Sequence, residues 1–136
     1  MVFTKFALGE APVENVVENG EVIGFRFNMR EPDYRGMFLS CLMDIKVIVD
    51  GEEFPRSAIS FTLQSGTYTL ENLDTEVFNR WNYIEQGTVL VRKPGGLAKG
   101  PHHIEAGILK RSSQDNTVGL WGGGDYVGGR RDFVIE

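Results

Sequence analysis

The stretch YRGMFLSCLMDIKVIVDGEEFP, residues 34–55, decides the fold class. From Leu39 onward, one set of alternate residues is apolar and the intervening set is mixed. The apolar set is Leu39, Cys41, Met43, Ile45, Val47 and Val49, and the intervening set is Ser40, Leu42, Asp44, Lys46 and Ile48. A period of two is typical of a β-strand with one buried face. Because Asp50-Gly51 favours a tight turn, we predict a strand over residues 37–49 that ends in a hairpin.

Shorter stretches repeat this strand pattern along the chain. Residues 22–30 alternate apolar and polar side chains, and residues 59–63 lead through Ser65-Gly66 into a hairpin partner at residues 67–70. Further strands are predicted over residues 88–92, 103–109 and 131–135. Short strands joined by glycine-rich turns are typical of all-β proteins. The sequence therefore predicts one all-β domain over residues 1–136, either an antiparallel β-sandwich or a jelly-roll-like barrel.

One segment departs from the strand pattern. Asp74-Thr75 can cap a short helix over residues 76–82. Val77 and Trp81 are four residues apart and Phe78 lies between them, so such a helix would carry an apolar stripe. We predict that this stripe covers an open end of the sandwich.

The composition argues against several classes of protein. The 136 residues carry a formal net charge of −5, which gives nucleic-acid binding no electrostatic support. Cys41 is the one cysteine, so an intrachain disulfide is impossible, and we expect a buried thiol in a reducing cytoplasm. The first residues have no signal-peptide core, and no run approaches the ~20 apolar residues that cross a bilayer. We therefore expect a cytoplasmic protein without a membrane partner.

The residues alone reveal no complete catalytic constellation. His102 and His103 are the two histidines of the chain, and neighbours on a strand face opposite sides, so they cannot easily share a metal ion. His103 and Glu105 would share a face, but a third ligand is not evident, and surface hydrogen bonding is the simpler interpretation. The glycine-rich loop at residues 120–132 is more informative, because Trp121 and Tyr126 lie in a segment type that often binds partners or substrates.

A series of short motifs runs in order through the middle of the chain. They are Tyr34-Arg35-Gly36 followed by Leu39-Ser40-Cys41, the pair Asp50-Gly51, Trp81, and Lys93-Pro94-Gly95-Gly96-Leu97 leading to Gly100 and His102. Together these motifs span about half of the chain and resemble the small β subunit of the C-glycoside deglycosidases. The resemblance implies a β-sandwich that binds a larger α subunit and supports its active site.

The resemblance also implies the chemistry of the whole complex. Enzymes of this family cleave the carbon–carbon bond between a sugar and an aromatic aglycone, after another enzyme has oxidised the sugar's 3-hydroxyl to a ketone. Their α subunit resembles sugar isomerases, with a TIM barrel, a divalent metal that is usually manganese, and a histidine as acid/base. No catalytic residue, metal ligand or cofactor is then expected in this chain.

We expect the contact with the α subunit to involve two segments. Arg30, Tyr34 and Arg35 precede the long predicted strand, and Trp121 and Tyr126 lie in the glycine-rich loop. Aromatic residues and arginine are the side chains that most often dominate binding energy at interfaces. These five residues form the predicted partner interface.

Two other functions remain open from the sequence. In the first, the chain is a free-standing carbohydrate-binding sandwich in which Trp121, Tyr126 or Trp81 stacks on a sugar ring. In the second, the chain is a small enzyme that uses His103 and Glu105.

Substitution of the two segments tests the predicted interface. We expect Tyr34→Ala or Trp121→Ala to weaken α-subunit binding by roughly 2 kcal/mol or more, the usual threshold for a dominant interface residue. Calorimetric titration of each variant against the α subunit measures this change, with far-UV circular dichroism of the isolated chain as the control for folding. If both variants bind as the unsubstituted chain does, the interface lies elsewhere.

Overall fold

The computed structural model describes residues 1–5, 7–31, 36–76, 78–82, 85–110 and 126–136. Twelve strands and three single 3-10 turns lie in these residues. The strands in chain order are Val2–Phe3 (β1), Glu14–Glu18 (β2), Glu21–Arg30 (β3), Met37–Phe38 (β4), Leu42–Val49 (β5), Glu52–Glu53 (β6), Ile59–Leu63 (β7), Gly66–Thr69 (β8), Arg80–Trp81 (β9), Gln86–Arg92 (β10), Gly100–Lys110 (β11) and Val127–Ile135 (β12). The 3-10 turns span Leu39–Cys41, Arg56–Ala58 and Leu73–Thr75.

The strands form two five-stranded sheets and one short ribbon. The first sheet, which we call the β11 sheet, has the order β1-β12-β11-β5-β6, and the second, the β10 sheet, has the order β2-β3-β10-β7-β8. Strands β4 and β9 pair with each other in the ribbon. Neighbouring strands run antiparallel except β1 and β12, which are parallel. Each five-stranded sheet has two edges, so the sandwich form of the prediction is the observed one.

One apolar core lies between the two sheets. The β10 sheet contributes Phe25, Phe27 and Met29 from β3 and Val89 and Val91 from β10, all buried. The β11 sheet contributes Ile45, Val47 and Val49 from β5 and Ile104, Ala106 and Ile108 from β11. Because alternate residues of a strand point to opposite faces, the predicted strands at 22–30, 59–63, 88–92 and 103–109 each supply one row to this core. Full burial of one such side chain stabilises the fold by roughly 1.5–3 kcal/mol.

The stretch that decides the fold class is a strand in two parts rather than one. A 3-10 turn at Leu39–Cys41 separates β4 from β5 and shifts the phase of the alternation. Leu42 is therefore buried at 2% exposure, while Cys41 and Met43 are half-exposed. The pairing of β5 with β11 shifts at Leu109 and Lys110, which accommodates the extra residue. The predictions of a continuous strand over 37–49 and of a buried Cys41 are wrong for this reason.

Both predicted hairpins are present. Asp50 and Gly51 have φ angles of 51° and 84°, the positive values that a tight two-residue hairpin turn requires. This turn joins β5 to β6, and Val49 pairs with Glu52 across it. The second hairpin joins β7 to β8, with Leu63 opposite Gly66.

The predicted helix over residues 76–82 is replaced by β9. Trp81 is fully buried, packs edge-on against Phe61 at 4.7 Å between ring centroids, and pairs with Met37 across the ribbon. The indole Nε1 donates to the carbonyl oxygen of Glu85 at 2.8 Å. These long-range contacts favour extended backbone over the local helix signal. Phe78, which the helix would have placed in an apolar stripe, is 90% exposed.

No helix in the described residues has the length and apolar character needed to cross a membrane.

The phase shift at the 3-10 turn makes a prediction about stability. We expect Leu42→Ala to lower the free energy of unfolding by about 2–5 kcal/mol, because it opens a cavity in the core. Met43→Ala should cost about 1 kcal/mol or less, since Met43 is half-exposed. Urea denaturation of both variants measures the difference. If the alternation were unbroken over residues 37–49, Met43→Ala would lower the free energy of unfolding more than Leu42→Ala. That result would contradict the observed burial of Leu42.

Candidate functional site

Both predicted interface segments leave the sandwich at the same end. Strand β3 ends at Arg30 and β11 ends at Lys110, and Lys110 Nζ lies 3.9 Å from Oε1 of the buried Glu31. Strand β12 begins at this end too, because Val127 pairs with Ile108. We call the end defined by Arg30, Glu31, Lys110 and Tyr126 the loop end.

The chain connects Glu31 to Gly36 and Lys110 to Tyr126 at the loop end. Tyr34, Arg35 and Trp121 belong to these connections and lie outside the described residues. Their predicted interface role stays a prediction. In the structure, the points at which the two segments leave and rejoin the sandwich lie close together. The sequence pattern did not indicate this proximity.

Arg30 is fixed to the loop end by its backbone. Its N–H donates to the carbonyl oxygen of Ala7 at 2.8 Å, and it pairs with Gln86 of β10. Its side chain is half-exposed and follows the outward-facing Arg26 and Asn28 on the solvent side of the β10 sheet. Arg30 is therefore accessible to a partner that approaches the loop end from that side.

Tyr126 lies on the outer face of the β11 sheet. Its hydroxyl donates to Asp44 Oδ2 at 2.5 Å, and Lys46 Nζ lies 4.2 Å from its ring centroid. Burial first, and then the hydrogen bond to Asp44, raise the pKa of Tyr126 to about 12, so its hydroxyl stays protonated. Val2 N–H donates to the backbone oxygen of Tyr126 at 2.8 Å. Tyr126 thus fixes the point where the glycine-rich loop rejoins the sheet.

These contacts bear on the sugar-stacking alternative. Trp81 is fully buried and cannot stack on a ligand. Lys46 covers one face of the Tyr126 ring. Trp121 lies outside the described residues.

His102 fastens the β5–β6 turn to the connection between β10 and β11. Its Nδ1 lies 2.6 Å from Asp50 Oδ2, and its Nε2 lies 2.6 Å from the carbonyl oxygen of Ala98. Both partners accept hydrogen bonds, so both ring nitrogens donate when the imidazole is protonated. The hydrogen bond with Asp50 is the main cause that raises the pKa of His102, and the same bond is the main cause that lowers the pKa of Asp50.

His103 faces the opposite side of β11, as the sequence predicts. Its Nδ1 lies 2.7 Å from Asp132 Oδ1 and its Nε2 lies 3.2 Å from Glu105 Oε2. The bond with Asp132 is the main cause of the raised pKa of His103. His103 and Glu105 therefore share a face, and Asp132 joins them from β12.

The cluster around His103 does not match the geometry of a metal site. The two carboxylates contact opposite nitrogens of the ring, so they do not converge with it on one point. Within the described ranges, no group of three His, Cys, Asp or Glu side chains is placed to hold a metal ion. Among the described residues, the His103 cluster is therefore not arranged to hold a divalent metal ion.

Two features of the surface escaped the sequence analysis. The first is the contact of the buried Glu31 with Lys110, which no local pattern marks because Glu31 follows β3 of one sheet and Lys110 ends β11 of the other. The second is the exposure of Phe38 on β4 and of Phe78, which precedes β9. The helix prediction concealed it, since a helix would have turned Phe78 toward the protein.

The described residues define an all-β sandwich. The side chains around its two histidines are held by hydrogen bonds within the chain. Two connections leave the sandwich from the loop end. The chain belongs to the C-glycoside deglycosidase beta subunit family, whose model matches residues 3–113. Residues 114–136, which include Trp121 and Tyr126, lie beyond the matched range.

Characterised relatives carry related names. The C-glycoside deglycosidase beta subunit of Eubacterium cellulosolvens is 34% identical over 95 residues, which is 70% of this chain and 65% of the relative. The 3'-dehydrocarminate deglycosidase beta subunit of a Microbacterium species is 29% identical over 89 residues, 65% of this chain and 66% of the relative. A C-glycoside deglycosidase beta subunit of Arthrobacter globiformis is 28% identical over 68 residues, 50% of this chain and 52% of the relative. The matched part thus spans between half and two thirds of each relative.

The contacts of His102 predict how stability depends on pH. Because its pKa is raised on folding, the His102 contribution is complete below 6.5 and is lost as the pH rises through the folded pKa. Because the pKa of Asp50 is lowered, its contribution is complete above 3.8 and is lost as the pH falls through the folded pKa of that carboxyl. The pair therefore stabilises the fold most at mildly acid pH.

We expect the free energy of unfolding of His102→Gln to fall less steeply above neutral pH than that of the unsubstituted chain. Urea denaturation at a series of pH values measures the slope, and NMR titration of the ring protons measures the pKa of His102 directly. His103→Gln is the companion variant: it leaves the Asp50 contact in place, and it should lessen the slope separately because the pKa of His103 is raised as well. Equal slopes for His102→Gln and the unsubstituted chain, or a measured pKa of His102 below 6.5, would contradict the prediction.

Proposed function

We propose that this chain is the non-catalytic β subunit of a heteromeric C-glycoside deglycosidase. In this proposal it binds an α subunit with a TIM-barrel fold like that of sugar isomerases and supports the active site there. The complex acts as a carbon–carbon lyase on 3-oxo-C-glycosides. The observation that carries the proposal is the family match over residues 3–113.

The reaction requires groups that we assign to the α subunit. A ketone at C3 of the sugar acidifies the proton at C2, and loss of that proton allows the aglycone carbon to leave from C1. A base with a suitable pKa and an electrophile near the developing charge are needed for this step. We assign the base and a divalent metal ion, manganese, to the α subunit.

The environment of the histidines supports this division of labour. A general acid or base works in a shaped, partly dry pocket that brings the substrate within hydrogen-bond distance. His103 instead lies on the outer face of a sheet, with 42% of its side chain exposed and both nitrogens in contact with carboxylates. His102 is occupied by Asp50 and by the Ala98 carbonyl. Their contacts are those of side chains that hold secondary structure together.

The loop end is the part of the molecule that we assign to the α subunit. Arg30 and Tyr126 lie there, and the segments with Tyr34, Arg35 and Trp121 leave from there. Loops on a rigid sandwich often carry binding residues, because the scaffold fixes their ends. The fixed ends at Arg30 and Tyr126 support this assignment.

Co-expression with an α subunit tests the proposal. We expect the chain to co-elute in size-exclusion chromatography with the C-glycoside deglycosidase α subunit encoded in the same genome. The purified complex should cleave a 3-oxo-C-glucoside, and the chain alone should not, with or without Mn²⁺. Metal-dependent cleavage by the chain alone would overturn the non-catalytic assignment, and absence of a complex would overturn the subunit role.

His103→Ala in the complex separates a supporting role from a catalytic one. We expect activity within about tenfold of the unsubstituted complex, or roughly 1.4 kcal/mol in the barrier. Loss of a true acid or base typically costs ~10²–10⁴-fold. A loss of that size in an intact complex would assign the chemistry to His103.

A further inference from the structure

Strand β12 has an open edge over most of its length. On one side it pairs with β11 from end to end, whereas on the other side β1 covers only Val127 and Gly128. Beyond β1 the first segment of the chain crosses to the β10 sheet, where Leu8 bridges to Met29. We call the side of residues 130–136 that faces away from β11 the open edge.

The backbone of β12 directs hydrogen-bonding groups toward the open edge at alternate residues. The carbonyl oxygens of Tyr126 and Gly128 accept hydrogen bonds at 2.8 and 2.7 Å from the β1 side, so the even-numbered residues of β12 point away from β11. The next such residues are Arg130, Asp132 and Val134. No backbone hydrogen bond among the described residues reaches their N–H or carbonyl groups on this side. Such a row of donors and acceptors is a template for a further strand.

The pairing with β11 agrees with this direction. Pro101, which has no N–H, lies opposite Val134. His103 lies opposite Asp132, but its N–H and carbonyl groups bond to Asp50 on the other side of β11. In an antiparallel ladder these are the pairs whose backbone groups point away from each other.

The other sheet edges are shorter or irregular. Strand β6 has two residues, β8 has four, and β2 has a register shift between Val16 and Val17. Short edge strands and bulges limit pairing with other chains. Strand β12 instead pairs with β11 over nine residues without a register shift, so its open edge is regular.

We propose that the open edge pairs with the open edge of a second copy of this chain, so that two β11 sheets join into one sheet across a two-fold axis. Antiparallel pairing about Phe133 places Asp132 opposite Val134 of the second copy, and Arg130 opposite Glu136 of the second copy. Each of these pairs exchanges both N–H···O bonds, because all four residues are even-numbered. The two-fold axis repeats every pair, which makes the interface self-complementary.

Charge and sterics select this register. Arg130 is exposed and leans away from β11, with its guanidinium carbon 4.7 Å from the Phe3 ring centroid on β1. In the proposed register the Cβ atoms of Arg130 and Glu136 of the second copy would be roughly 5 Å apart. Pairing about Asp132 would oppose two like charges. Pairing about Arg131 would bring the second copy against Gly128, where β1 already lies.

The apolar side chains of the edge fit the same arrangement. Phe133 is half-exposed, although the next residue on its face, Ile135, is buried. It stacks on His102 at 5.4 Å between ring centroids, and its other side faces the open edge. At the two-fold axis the two Phe133 rings would meet, a pairing that aromatic side chains favour on opposed strands. Val134, which is 62% exposed, would be partly covered on the opposite face.

The net charge of the chain does not prevent this pairing. Each copy carries −5, which opposes association. Charges farther apart than about 8 Å are largely screened at physiological ionic strength, whereas the opposed Arg130 and Glu136 lie well within that distance. A strand of an unrelated protein could use the same backbone groups, but only a second copy matches Arg130 with Glu136 and Glu136 with Arg130.

Light scattering of the full chain over a concentration series tests the backbone pairing. At physiological ionic strength we expect the mass to rise from one chain to two, with a dissociation constant on the order of 10 µM. Val134→Pro removes an N–H that points to the open edge and should weaken the dimer at least about tenfold. Val134→Thr is the matched control, because it keeps the N–H and the branched shape, and it should dimerise as the unsubstituted chain does. A single-chain mass up to about 1 mM, or equal dimerisation of the two variants, would overturn the proposal.

Charge reversal tests the register and the identity of the partner. Arg130→Glu and Glu136→Arg should each weaken the dimer at least about fivefold, because each opposes like charges at two places. The double variant should restore the dimer, although it cannot restore the contact of Arg130 with Phe3. Far-UV circular dichroism controls for folding. A folded double variant that dimerises no better than the single variants would overturn the proposal. The α subunit takes no part in these measurements, so the proposed function stands or falls separately.

Discussion

The burial of Trp81 is the constraint on which the conformation of the β4–β9 ribbon depends. The indole packs edge-on against Phe61 and donates to Glu85, while its backbone pairs with Met37. A buried tryptophan removes roughly 150–250 Å² from water, which corresponds to about 4–6 kcal/mol. A helix at this position would have broken the pairing with Met37. Extended backbone keeps the ring inside and turns Phe78, three residues earlier, toward solvent.

The fold was predictable where local pattern and tertiary contacts agree. Strands β3, β7, β10 and β11 each carry a row of buried apolar residues at alternate positions. Asp50-Gly51 marks its turn because both residues tolerate positive φ. The two-residue strands β1 and β9 could not be predicted, because only their partners define them. The residues of β4 lie inside the predicted strand over 37–49, but the pairing of β4 with β9 was not predicted. The turn at Leu39–Cys41 was also unpredictable, since its sequence continues an apparent alternation. Because the alternation breaks at this turn, Leu42 lies in the core and Cys41 is partly exposed.

The candidate site was also predictable only in part. That His103 and Glu105 share a face follows from strand geometry, whereas Asp132 reaches the same imidazole from a strand far along the chain. Both histidines have their polar contacts within the chain, while Phe38 on β4 and Phe78 just before β9 are exposed. Exposed aromatic side chains are surface features that a partner can cover.

The parallel pairing of β1 with β12 determines the order in which the chain can fold during its synthesis. Val2 and Phe3 find Val127 and Gly128 only after the ribosome has made β12. The β10 sheet, whose strands all lie between Glu14 and Arg92, can pair much earlier. Its apolar face then stays uncovered until β11 and β12 emerge, a state prone to aggregation. A nascent chain can therefore present the finished sandwich to a partner subunit only after β12 has been made.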